Sequence, residues 1–99
     1  MNQALTVLEL AAADVLAAKS RYNELHPGLG NDFALCVDEA LARIHRFPLS
    51  YAIIDLDFRR VLVRRFPFAV YFRVNRQQIT VYGVFHNRQN TDAWRRRGQ

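Results

Sequence analysis

The sequence predicts an α+β fold of order β-α-α-β-β-β, with a helical hairpin packed on one face of a small, twisted, mainly antiparallel sheet. Three observations lead there. Apolar residues recur every three or four positions through two stretches of the first half, the spacing of a helix face. A Pro/Gly cluster, His26-Pro27-Gly28-Leu29-Gly30, separates those stretches. From Phe58 onward the apolar period drops to two, in three runs joined by short links, which reads as an antiparallel meander. At 99 residues the chain is a single domain, residues 1–99, with no length for a second independent core or a large cofactor-binding α/β architecture. A domain of this size buries about 60–70% of its unfolded surface, so a partner is able to supply part of its stability.

The elements follow in order. Ala4 to Glu9 reads as a short first strand centred on Thr6, Val7 and Leu8. From Leu10 the period becomes helical, with Ala11, Val15, Ala18, Tyr22 and Leu25 on one face. The residue before Pro27 is disfavoured in a helix, and the two glycines free the backbone to turn. A second helix is expected from Asn31 as its N-cap, with Asp32 in the first turn complementing the helix dipole. Phe33, Val37, Ala40 or Leu41, Ile44 and Phe47 form its apolar stripe, Arg43, His45 and Arg46 suit its C-terminal end, and Pro48 stops it. Residues 50–57 read as a loop. Then Phe58, Arg60, Leu62 and Arg64 alternate with Arg59, Val61, Val63 and Arg65. Phe68, Val70, Phe72 and Val74 alternate with Ala69, Tyr71 and Arg73; Ile79, Val81, Gly83 and Phe85 alternate with Thr80, Tyr82, Val84 and His86. The helices offer one stripe to one sheet face, so the opposite face, carrying Arg and Tyr, is expected to stay open. Residues 87–99 are a basic C-terminal tail ending Trp94-Arg95-Arg96-Arg97.

Charge is distributed unevenly. The net charge is +5, and thirteen of the fourteen bases are Arg, Lys19 being the exception. Residues 1–58 hold four bases and eight acids; residues 59–99 hold ten bases and one acid, Asp92. A basic block of this kind favours an anionic partner, and Arg suits forked contacts to phosphate or carboxylate. One cysteine, Cys36, excludes an intrachain disulfide and reads as a small hydrophobe of the second helix. One Cys and three scattered His supply no metal set, and no cofactor motif is present. The apolar start is interrupted by Glu9 and Asp14, lacks a signal-peptide pattern and is too short to span a membrane. The cytoplasm is the expected compartment.

Several segments resemble a known family. Pro27-Gly28-Leu29-Gly30-Asn31-Asp32-Phe33, Ala40-Leu41-Ala42-Arg43-Ile44, Pro48 and Tyr51 resemble the helical hairpin of RelE/ParE-superfamily toxins. The run from Arg59 to Val74 looks like their central β-hairpin, and Val84-Phe85-His86-Asn87-Arg88 with Trp94 and Arg97 resembles their C-terminal signature. The resemblance implies the toxin half of a bacterial type II toxin–antitoxin system, neutralised by a cognate antitoxin. It covers two branches. One poisons DNA gyrase, as ParE does; the other is a ribosome-dependent endoribonuclease that cuts mRNA. Arg65-Phe66-Pro67-Phe68-Ala69-Val70-Tyr71 is closer to the ParE-like branch. In the mRNA-cutting branch an Arg commonly stands where this chain has Ala69.

The side-chain chemistry points the same way. Metal-independent RNA cleavage needs a base, an acid, cations for the phosphate and a group that splays the bases. For a nuclease the candidates are His86 as acid or base, with Arg65, Arg73 and Arg88 on phosphate, and Tyr71, Tyr82 or Trp94 stacking a base. The carboxylates lie almost wholly in the first 58 residues, so such a site would rely on one His; His26 and His45 read as surface or capping groups. Inhibition by binding needs only shape and a cationic patch. An acidic antitoxin segment would meet Arg59, Arg60, Arg64 and Arg65, with apolar anchors beside the helical hairpin. Trp94 either closes the core or anchors a partner, and Arg97 belongs with it among the expected partner contacts. The late arginine-rich meander is thus expected to be an exposed docking platform and not a reactive centre.

Overall fold

The computed structural model describes residues 3–88 and 93–98. Strand β1 (Ala4–Val7) leads into helices α1 (Glu9–Leu25) and α2 (Leu29–Arg46), then a single 3-10 turn at Pro48–Ser50. Strands β2 (Ile53–Asp55), β3 (Phe58–Leu62), β4 (Phe68–Asn75) and β5 (Gln78–His86) follow, and helix α3 (Ala93–Arg97) ends the described chain. The five strands lie in the order β1-β5-β4-β3-β2. Only the β1–β5 pair is parallel, with Val7 opposite Val81; the rest is an antiparallel meander. The α+β class and the helical hairpin on one sheet face are as the sequence predicts. Two elements are additional, β2 within the expected loop and α3 within the expected tail. Residues 89–92 of that tail, Asp92 included, and Gln99 lie outside the described residues.

The helical hairpin is set by a close approach. Gly28 takes a left-handed conformation (φ 91°), and α2 begins at Leu29 without a cap from its own side chains. The cap comes instead from α1: Asn23 Oδ1 accepts the Gly30 N–H at 2.7 Å. Asn31 is therefore not the N-cap; it is the third residue of the helix, and its Oδ1 faces Asn23 Nδ2 at 3.5 Å. A β-carbon on Gly30 would fall 2.0 Å from the Lys19 carbonyl oxygen, so only glycine lets the two backbones meet here.

The first core lies between this hairpin and the sheet. Ala11 and Ala18 of α1, Phe33, Val37, Ala40 and Ile44 of α2, and Val61, Val70, Phe72, Ile79, Val81 and Val84 of the sheet are all buried in it. Each large side chain fully removed from water contributes about 1.5–3 kcal/mol before entropy is counted. Tyr22, Phe33, Phe66 and Phe68 close one end, with ring centroids 4.8–6.1 Å apart. Cys36 packs against this core, half-buried, as the sequence suggests. Leu25 and Phe47, expected on the apolar stripes, are exposed instead. Each sits where its helix ends, and the backbone at Phe47 (φ −136°, ψ 62°) has already left the helical path.

The alternation in β5 is broken by a bulge. Tyr71 pairs with Gly83 but Phe72 pairs with Val81, so Tyr82 is an extra residue. Beyond it the faces exchange. Val84 joins Ile79 and Val81 in the first core, whereas Phe85 belongs to the opposite face. Replacing Gly30 by Ala should destabilise the fold by about 3 kcal/mol in urea denaturation, because backbone cannot yield as a side chain does.

Candidate functional site

The sheet face away from the hairpin is not open. Phe58, Ala69, Tyr71, Phe85 and Trp94 form a second buried cluster under α3. Trp94 is 7% exposed. Its ring stacks on Tyr71 (5.3 Å, 10°) and meets Phe58 edge-on at 4.9 Å. The expectation of an uncovered Arg/Tyr platform is corrected here: a strip of aromatic residues on that face demanded a cover, and α3 supplies it.

Helix α3 has five residues, too few to hold itself in place by its own hydrogen bonds. Arg97 fastens it. Its guanidinium meets the Asp14 carboxylate through two nitrogens, at 2.7 and 3.2 Å, and donates to the Tyr82 carbonyl at 3.0 Å. Both side chains are 17% exposed, and the guanidinium also lies over the Phe85 ring. Asp14 Oδ2 in addition accepts the Val84 N–H at 3.0 Å. One carboxylate on α1 thus binds the strand just past the bulge and the C-terminal helix together. Gly83 keeps the passage clear, since a β-carbon there would come within 2.9 Å of the Arg97 guanidinium.

Other arginines of the basic block are likewise engaged by the chain's own groups. Arg73 Nε lies 2.6 Å from Asp57 Oδ1, out of line for a hydrogen bond; its Nη1 donates to the Gly98 carbonyl and its guanidinium covers the Phe58 ring. Arg95 pairs with Asp55. Glu39 Oε2 takes both Arg43 and Arg64, at 2.8 and 3.2 Å. Arg65 lies 3.8 Å from Asp32, in an exposed turn. Arg59 donates to the Tyr51 carbonyl beneath the edge of the sheet. Among the described residues, Arg21, Arg46, Arg59, Arg60, Arg76, Arg88 and Arg96 make no ion pair. The uncompensated positive charge is therefore spread around the outside of the molecule and is not gathered on one sheet face.

The prospective nuclease set is divided. Phe68 pairs with His86 and Arg73 with Thr80, which puts His86 and Arg73 five residues, roughly 17 Å, apart along the sheet. Arg65 and Arg88 lie at the His86 end, near the turn where the Asn87 N–H donates to the Pro67 carbonyl. His86 accepts the Arg88 N–H on Nδ1 at 3.0 Å, and its ring stands edge-on to Phe68. It borders a cleft of about 190 Å³ lined also by Ala18, Arg21, Tyr22, Leu25 and Phe68. Ligand pockets are usually about 300–1,000 Å³, so this one suits a single side chain. Of that lining only His86 is a candidate site residue in the sequence; Arg21 adds a charged group whose place in the cleft follows from packing. Ala69 is fully buried in the second core. His26 ends α1, its N–H on the Tyr22 carbonyl, and His45 Nε2 lies 2.8 Å from the Gln3 carbonyl. Among the described residues no cluster of three or more His, Cys, Asp or Glu side chains is placed to hold a metal ion. No helix of the described residues is long and apolar enough to cross a membrane.

A solved structure described as the chromosomal ParDE TA system from P. aeruginosa matches this architecture. The TM-score is 0.76 at 20% sequence identity, over 85% of this chain and 95% of that one. The two chains share a fold. No family model matches the sequence, and no curated protein matches it.

The ion pair that fastens α3 should be measurable. Asp14→Ala is expected to cost about 2–3 kcal/mol in urea denaturation, below the range for a fully buried pair because some water reaches it. A double-mutant cycle with Arg97→Met should return a coupling of about 1 kcal/mol or more.

Proposed function

We propose that this chain is the toxin of a bacterial type II toxin–antitoxin pair, a ParE-like growth inhibitor that binds DNA gyrase and is neutralised by a cognate antitoxin. The observation that carries the toxin assignment is the likeness in fold to the ParDE-system chain along nearly the whole of that chain. For the target, the supporting observation is the division of the candidate acid, base and phosphate-binding groups. His86 and Arg73 stand at opposite ends of β4 and β5, and Arg73 is already occupied by Asp57, Gly98 and Phe58. Ala69 offers no functional group at the position where the nuclease branch commonly has Arg.

Inhibition by binding asks for a rigid surface and a field that attracts an anionic target. The twice-covered sheet provides the rigidity. The seven arginines without ion pairs among the described residues provide the field, and their effect should weaken with salt. Binding of this kind stalls an enzyme by holding one of its states, without any bond being broken in the toxin or by it.

The alternative, mRNA cleavage in the ribosome, is favoured by one arrangement, His86 at the lip of a cleft beside Arg21. The two separate by experiment. Purified gyrase should lose supercoiling activity as this protein is added, and full activity at saturating protein would refute the gyrase assignment. His86→Ala should leave growth arrest within about twofold of the parent, whereas loss of a general acid or base would cost about 100-fold or more. Primer extension on translated mRNA after induction should show no new 5′ ends.

A further inference from the structure

Strand β2 is the last strand of the sheet, so one of its main-chain edges has no neighbouring strand among the described residues. The side chains beside that edge are unusually apolar for a surface. Phe47 is 58% exposed, Leu49 66%, Ile53 52% and Leu56 70%. Natural edge strands are normally guarded by charge, proline or a covering element. This one carries Ile53 and Ile54 in succession, both exposed.

The two sides of the edge differ in character. Ile53 stands opposite Arg59 in the β2–β3 register, so the two share the helix-hairpin side. Arg59 keeps its charge but is half-buried, its guanidinium turned in to the Tyr51 carbonyl, so the outward groups on that side are apolar. Arg60, the next residue, falls on the other side and is exposed, with no ion pair among the described residues. The nearby acids do not neutralise it, since Asp55 is held by Arg95 and Asp57 by Arg73. The edge therefore has an apolar side and a cationic side, separated by the outer main-chain edge of the three-residue β2.

We propose that β2 is a docking edge for an extended, acidic segment of a partner protein, which adds as a sixth strand with alternating apolar and acidic residues. Its backbone pairs with β2. Its apolar residues cover Ile53 and the exposed side chains of the Phe47–Leu49 corner, and its carboxylates meet Arg60. An added strand lies two strand spacings from β3, about 9.6 Å, a gap that an arginine and a glutamate span between them. A second copy of this chain is a poorer occupant: it would bring Arg60 against an identical edge, and each copy carries a net +5. The segment's source, an antitoxin, rests on the function proposed above; the chemistry of the edge does not.

The test uses the full chain and two fluorescent octapeptides, one alternating valine with glutamate and one alternating valine with lysine. Fluorescence anisotropy should show the glutamate peptide binding and the lysine peptide not. Ile53→Lys and Arg60→Glu should each weaken the glutamate peptide about tenfold. Leu35→Lys, an exposed position on α2, should leave it unchanged. Hydrogen exchange should slow at the β2 amides when the peptide is bound. Absence of binding, equal binding of both peptides, or indifference to Ile53→Lys in a variant that keeps the parent's circular dichroism would overturn the proposal. So would sedimentation as a dimer that Ile53→Lys makes monomeric. Toxicity does not enter the measurement. A chain that leaves gyrase untouched and still binds the glutamate peptide refutes the target and keeps the edge; the converse result does the reverse.

Discussion

The contact between Asp14 and Arg97 governs what this molecule presents to its surroundings. A single sheet has two faces, and a 99-residue chain has little left to cover the second once a helical hairpin has covered the first. Here the cover is one short helix, and the forked guanidinium–carboxylate pair makes it stay. The geometry is two-pronged and partly shielded from water, the arrangement in which Arg–carboxylate contacts are strongest. With α3 in place, Phe58, Tyr71, Phe85 and Trp94 become interior. Without it they would form a large aromatic patch on an already basic protein.

That constraint reorganises the meaning of the arginines. Taken along the sequence, ten bases against one acid in residues 59–99 suggest a continuous cationic surface. In three dimensions the acids of the first 58 residues return to meet them: Asp14 to Arg97, Asp32 to Arg65, Glu39 to Arg64, Asp55 to Arg95, Asp57 to Arg73. Much of the basic block thus serves to join elements. What remains for a partner is a set of outlying guanidiniums together with the unguarded edge at β2.

The hairpin and the meander were legible because each rests on local periodicity. Phe33, Val37, Ala40 and Ile44 repeat at helical spacing, and Phe68, Val70 and Phe72 alternate along one strand; all are buried as that pattern requires. Features that depend on distant partners were not legible. Asp14 and Arg97 are 83 residues apart, and nothing near either one announces the other. The Asn23 cap on α2 belongs to a different helix, so a local rule assigned the role to Asn31. Two signals were present but weak. Gly83 inside a strand pattern marks a bulge, and Ile53-Ile54 before a turn marks a short strand. The split between His86 and Arg73 follows from strand register, which no composition argument reaches.

The central claim is that the second sheet face is a closed core sealed by α3. Trp94 is the chain's one tryptophan, and its fluorescence reports that closure without a label. The account predicts blue-shifted emission that resists acrylamide and becomes quenchable only in the same urea transition that unfolds the helices. Emission already as red and as quenchable as a free indole in the native protein, or its loss well before the helices melt, would contradict it.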